Sequence, residues 1–176
     1  TITAEYGGSD TLKKATGSSI LTVTAAKLSA PQNLTWDSTT PGKATWNSVT
    51  NAIGYSVQLY KDGQPHGNSV SVTGTSQTFT ITEAGSYTFK VKAKGTGNYA
   101  DSSESAASSS LTFYAVTFET DGGSTIAPQI VVSGDKATTP TAPTKTGHTF
   151  DGWYSDSGLN TPYDFDNSTI TAATTI

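Results

Sequence analysis

From Ser86 to Lys94 the residues alternate without a break: Tyr87, Phe89, Val91 and Ala93 share one face, while Thr88, Lys90, Lys92 and Lys94 share the other. A period of two places successive side chains on opposite sides of an extended backbone, so this stretch predicts a strand with one buried and one wet face. One strand cannot bury its own face in water, and it needs partners. They are present. Leu34 and Trp36 alternate, then Ala44 and Trp46, then Tyr55, Val57 and Leu59, then Val70 and Val72, then Phe79 and Ile81, with Leu111 and Phe113 downstream. Turn chemistry fills the gaps at Thr40-Pro-Gly42, Lys61-Asp-Gly63, Glu83-Ala-Gly85 and Lys94-Gly-Thr-Gly97. Seven short strands so punctuated predict a β-sandwich. No stretch carries the i, i+3, i+4, i+7 apolar stripe of a helix.

Composition narrows the function. The net charge is −4 over 176 residues and every cation is a lysine. Such a balance gives no electrostatic footprint for nucleic acid and no polybasic stretch for anionic lipid. Cysteine is absent, so neither a disulfide nor a thiol nucleophile is available. No apolar run is long enough for a membrane span, and membrane insertion is not expected. The chain begins at Thr1, contains no Met and shows neither a signal peptide nor a wall-sorting tail; the expectation is a slice of a longer protein.

Two regions carry a family likeness. The last third reads Val116-Thr-Phe-Glu-Thr-Asp-Gly-Gly-Ser124, then Pro128-Gln-Ile-Val-Val132, then Pro143-Thr-Lys-Thr-Gly-His-Thr-Phe-Asp-Gly-Trp-Tyr154, then Tyr163-Asp-Phe-Asp166. It resembles the internalin B-type repeat, also called the Listeria–Bacteroides repeat, of bacterial surface proteins. That resemblance implies a small α+β fold of β-grasp type at 115–176, with Trp153 in its core. Upstream, Ala30-Pro-Gln-Asn-Leu34, Ala44-Thr-Trp46, Val49 to Tyr60 and Gly85 to Ala93 resemble a fibronectin type III domain over 29–114. Trp46 then matches the family's core tryptophan and Tyr87 its tyrosine near the start of the sixth strand. The Arg-Gly-Asp tripeptide of some members is absent, so integrin binding by that route is unsupported. Residues 1–28, in which Ile2, Ala4 and Tyr6 alternate and Leu21, Val23 and Ala25 do so again, resemble the last hairpin of a bacterial immunoglobulin-like domain. The repeat family's last strand runs a few residues past Thr175-Ile176. Unpaired edges are therefore expected at both ends, either mobile or recruiting a neighbouring copy.

Candidate chemistry has a plainer reading in each case. Gly95, Gly97 and Ala100 satisfy a loose dinucleotide pattern, but no helix follows to receive a pyrophosphate, and a turn is expected. His66 and His148 stand alone, without a second ligand or a catalytic partner at useful spacing. Asp121-Gly-Gly123 and Asp164-Phe-Asp166-Asn167 offer oxygens to Ca²⁺ but lack the loop pattern and distal Glu of a known site, which favours turn capping. Trp36, Tyr60, Trp153, Tyr154 and Tyr163 are candidates for a sugar-stacking platform, with core packing preferred. Lys13, Lys14 and Lys27 are weighed for an intramolecular isopeptide bond, though no spacing selects a partner. Asn33 and Asn167 open glycosylation sequons that mean little in a bacterium.

Catalytic, cofactor-binding and metal residues are therefore assigned to none, and no enzymatic activity or cofactor is expected. The organisation expected is mainly β: a partial immunoglobulin-like hairpin at 1–28, a type III-like sandwich at 29–114 and the β-grasp-like repeat at 115–176. Short joints at Lys27-Leu-Ser-Ala-Pro31 and Tyr114-Ala115 suggest a semi-rigid rod. The expected function is a non-catalytic structural and adhesive module of a bacterial cell-surface or secreted multidomain protein. Its partners are neighbouring modules of the same polypeptide, or a host or cell-wall protein or glycan. The alternatives are an accessory or carbohydrate-binding region of a large secreted glycan-active enzyme.

Overall fold

The computed structural model describes residues 24–176. The hairpin expected at 1–28 lies outside the described residues, apart from its last five positions. Among the described residues eleven strands run in chain order: β1 Ala26–Lys27, β2 Thr35–Trp36, β3 Lys43–Thr45, β4 Gly54–Lys61, β5 Gln64–Val72, β6 Ser76–Thr78, β7 Gly85–Lys94, β8 Tyr99–Ala100, β9 Leu111–Thr117, β10 Gln129–Val132 and β11 Thr174–Thr175. The described residues hold no helix, and so none long and apolar enough to cross a membrane.

Two sheets enclose the first core. The larger has the order β10-β9-β7-β4-β5, with β11 also pairing with β9; the smaller has the order β2-β3-β6. The alternation that opened the sequence is reproduced in β7, where Tyr87, Phe89, Val91 and Ala93 are all fully buried. Val57 and Leu59 from β4 meet them, and Ala44 and Trp46 arrive from the facing sheet. Aromatic edges lock the interior: Trp46 meets Tyr55 at 5.5 Å between ring centroids, and Trp36 meets Phe89 at 4.8 Å. The β4–β5 hairpin turns on Asp62 (φ 51°) and Gly63 (φ 80°). Two consecutive positive φ values make the turn whose twist suits a two-residue hairpin, which is why Asp-Gly stands there. The Phe79/Ile81 strand expected from alternation is displaced: pairing with β3 occurs at Ser76–Thr78, and Phe79 instead donates its amide to Gly42.

Residues 101–110 replace a strand with a serine staircase. Ser102, Ser105 and Ser108 are buried, and each uses both its amide and its hydroxyl on β7. Their amides donate to the carbonyls of Ala93, Val91 and Phe89 at 2.9, 2.9 and 3.0 Å. Their Oγ atoms accept the amides of the same three residues at 2.8, 3.0 and 3.1 Å, and donate to the carbonyl one residue ahead. Three residues here face every two of β7, so one extra residue per step is bulged out and turns its carbonyl away. The serine hydroxyl stands where that carbonyl would have accepted.

β9 belongs to both halves of the molecule. Leu111 and Phe113 pack into the first core, while Val116, with Tyr114 and Phe118, packs into a second core of Val131, Ala137, Trp153, Ile170 and Ile176. β10 repeats the division: Ile130 and Val132 lie against the first core and Val131 sits in the second. Odd and even positions of a strand point to opposite faces, so the two cores lie on opposite sides of one sheet. Tyr114 and Ala115, read as a joint, are paired with Val131 and Ile130 inside this ribbon. At the other end, Ala26–Lys27 pairs in parallel with Tyr99–Ala100, and Leu28 is buried in the first core.

The α+β expectation for the repeat is corrected, since 133–173 forms turns and loops rather than a helix. Side-chain carboxylates take the amides a helix would need. Asp156 accepts from the backbone of Asn160 (3.2 Å) and Thr161 (2.8 Å), and Asp164 from Asp166 (2.9 Å) and Asn167 (3.1 Å). Pro140, Pro143 and Pro162 interrupt the rest. The unpaired strand expected near the C-terminus is also corrected: Thr174–Thr175 pairs in parallel with Val116–Thr117, and Ile176 is buried.

Asp37 offers a pH test of the β2–β3 turn. Its carboxylate accepts from the hydroxyl of Thr39 at 2.7 Å, from the amides of Thr39 and Thr40 at 3.0 Å, and from Lys43 Nζ at 3.1 Å. Led by the Thr39 hydroxyl, these donors hold its pKa well below the usual carboxylate range. A depressed folded pKa gives stability that is complete above about pH 4, the unfolded value, and is lost as pH falls through the lower folded value. Asp37→Asn should therefore lower the urea midpoint at pH 6, and its difference from the parent should shrink toward pH 2.

Candidate functional site

A groove of about 800 Å³ lies on the repeat, between the segments 119–123, 143–159 and 175–176. That volume falls in the range of small-molecule sites. Phe150 and Trp153 line it edge-on at 5.2 Å, and Phe118, packed against the second core, meets Trp153 edge-on at 5.2 Å. Trp153 is 8% exposed, whereas Phe150 and Leu159 are 38% and 65% exposed. The Gly147 turn (φ 76°) and the Asp156 turn present the last two to solvent.

Polar groups around the groove are engaged with one another. Tyr154 donates its hydroxyl to Asp151 Oδ2 at 2.6 Å, and this acceptor raises the tyrosine pKa. Lys145 Nζ lies 3.0 Å from Asp121 Oδ2. Asp156 caps its own turn, and its pKa is lowered first by the Asn160 amide. His148 Nδ1 lies 3.0 Å from the Thr146 carbonyl. Beside these polar contacts, the exposed Phe150 and Leu159 offer the groove an apolar and stacking surface.

Elsewhere the sequence candidates are dispersed. Trp36 donates Nε1 to the Ser109 carbonyl at 3.0 Å, Tyr60 lies under Lys90 Nζ at 5.1 Å, and Tyr163 stacks edge-on with Phe165 at 4.8 Å against the second core. With Trp153 also in that core, the five aromatics form no common platform. His66 meets the ring of Tyr87 at 5.9 Å, far from His148 in the chain and in a different core's surroundings. Among the described residues no three His, Asp or Glu side chains gather into a metal-ligand set. Asp164 is occupied by turn capping and by the Asn167 side-chain amide at 2.8 Å. Lys27 donates to Ser103 Oγ at 2.7 Å, while Lys13 and Lys14 lie outside the described residues.

The Gly95/Gly97 pattern is a turn. A Cβ on Gly95 would fall 2.3 Å from the Tyr99 carbonyl oxygen and 2.8 Å from its carbon, and Gly97 has φ 59°. Backbone cannot yield as a flexible side chain does. Gly95→Ala should therefore lower thermal stability clearly more than Gly63→Ala, where the added Cβ meets nothing within 4 Å and only the positive φ is strained. Equal melting shifts would refute this packing. Phe150 and Leu159, which shape the groove, were missed in the sequence, where no periodicity marks them. The staircase was also missed, although serines at i, i+3 and i+6 spell it out.

A family model for the Listeria-Bacteroides repeat domain matches residues 114–176. Two proteins of Evansella cellulosilytica are each similar over about a third of the chain. One carries the provisional name membrane protein and is 40% identical over 60 residues, covering 34% of this chain and 9% of its own length. The other carries the provisional name Gly-rich membrane protein and is 38% identical over 63 residues, covering 36% of this chain and 7% of its own length. The chain thus spans less than a tenth of these curated relatives. No solved structure matches it.

Proposed function

We infer that the chain is a non-catalytic structural and adhesive module of a bacterial cell-surface or secreted multidomain protein. The observation that carries this reading is the repeat match at 114–176 on a body whose two cores share one sheet. Surface-associated proteins are where such repeats occur, and the two similar proteins are named for the membrane. A rigid joint suits a part that sets distance and orientation between other parts. The first half is read as a fibronectin type III-like sandwich. In support, β2-β3-β6 faces β9-β7-β4-β5, and the Tyr87 hydroxyl donates back to the Glu83 carbonyl at 2.9 Å, the corner contact such sandwiches share. Extracellular location, the partial immunoglobulin-like hairpin, and partners among neighbouring modules and wall or host surfaces belong to the same proposal.

The test is to display the chain between a surface anchor and a fluorescent reporter. The reporter should stand farther from the surface, with a narrower spread of distances, than one on a Gly/Ser linker of equal length. A spread as broad as the linker's would reject the rigid-spacer reading. The exposed Phe150 beside Tyr154 keeps the carbohydrate-binding reading alive. Glycan binding with Kd below about 1 mM, lost in Phe150→Ala, would move the assignment there.

A further inference from the structure

The geometry points to a tension-bearing function: stretched along its length, the chain loads two short parallel strand pairs in shear, joined by one continuous covalent spine. This deepens the spacer reading and rests on it. Residues 99–117 run in one direction along the edge of β7. β8 opens the run, the serine staircase continues it past Ala93, Val91 and Phe89, and β9 pairs Leu111–Phe113 with Tyr87–Gly85. β9 then passes beyond the end of β7 into the second core. The spine's first residues pair in parallel with β1, and its last residues pair in parallel with β11. Residues 28–98 and 118–173 are therefore loops that leave the spine and return beside it.

Direction decides how these pairs respond to force. Tension from the N-terminal side pulls β1 backward along its axis, while the spine beside it is pulled forward. At the other end β11 is pulled forward against a spine held back. In a parallel pair pulled from opposite ends, the cross-links yield together; in a pair opened from one end, they yield singly. At the first pair the bonds are Ala26 N to Asn98 O (2.8 Å), Leu28 N to Ala100 O (3.1 Å) and Lys27 Nζ to Ser103 Oγ (2.7 Å). At the second they are Ile176 N to Thr117 O (3.0 Å), Glu119 N to Ile176 O (2.8 Å) and the Thr117–Thr175 hydroxyl contact (2.9 Å). Leu28 and Ile176, both buried, must also leave their cores before either pair can slide.

The absence of native cysteine lets introduced thiols choose the pulling axis. One variant carries Thr24→Cys and a cysteine added after Ile176, which loads both pairs in shear. A second carries Glu119→Cys and the same added cysteine, which opens β11 from β9 at one end. Near-ultraviolet circular dichroism checks that both remain folded. Optical-trap pulling at one loading rate should give a rupture force at least about twofold higher on the first axis, because two or more hydrogen bonds must break together. Extension on that axis should come in steps of about 200 Å and about 250 Å, the contour lengths of 118–173 and 28–98. Equal forces on the two axes, or gradual extension without those steps, would overturn the proposal. The force-free display experiment would still stand on its own, so a module can fail here as a force bearer and remain a spacer.

Discussion

Trp46→Ala lowers unfolding free energy by about 3–5 kcal/mol, the range for truncating a large buried aromatic. Trp46 is 5% exposed and lies edge-on to Tyr55 and tilted against Phe89 at 6.4 Å, so its removal strips two ring contacts from the larger sheet at once. Its indole nitrogen has no hydrogen-bond partner. Trp46→Phe, which removes that buried donor and keeps much of the ring, should therefore recover most of the loss. Lys90→Ala is the control. Its ammonium lies 3.4 Å from Glu104 and over Tyr60, on the wet face of β7, and exposed pairs of this kind contribute little. Urea midpoints with unchanged slopes decide the matter. A Lys90→Ala shift as large as that of Trp46→Ala would mean the two faces of β7 are reversed.

Ser105→Ala carries the second large effect, about 1–3 kcal/mol, because it leaves the buried Val91 amide without an acceptor. A methyl group fills nearly the same space, so the loss is electrostatic rather than one of packing. Ser109→Ala, at an exposed position of the same run, should change nothing measurable. Hydrogen exchange gives the residue-level readout. The Val91 amide should exchange faster in Ser105→Ala relative to those of Phe89 and Ala93, which keep Ser108 and Ser102. An unchanged Val91 amide would show that the hydroxyl is not its acceptor.

Much of the first core was legible because alternation is a local signal. The period from Tyr87 to Ala93 fixes one buried face before any partner is known, and Tyr55, Val57 and Leu59 announce the strand that meets it. Phe79 misled for the same reason: it packs against the core while its amide bonds Gly42 outside the ladder, and a burial pattern does not reveal a pairing pattern. The staircase escaped because polar residues at a period of three match neither a strand nor a helix template. In the repeat, the helix expected from family likeness met Asp156 and Asp164, whose side chains satisfy local amides more cheaply than a helical turn would. The groove was illegible in principle. Phe150 and Leu159 are brought together by turns 146–148 and 156–160, and no sequence period records that.

The parity of the shared ribbon has a consequence for how successive parts face one another. Phe113 and Val116 are three apart, an odd number, and so look in opposite directions. Add or delete one residue between them, and everything downstream is rotated by half a turn about the strand axis. Length at this place therefore encodes azimuth. A protein assembled from such pieces could choose, by a single codon in this ribbon, whether the groove of Phe150 and Leu159 looks to the same side as the Trp46 core or away from it.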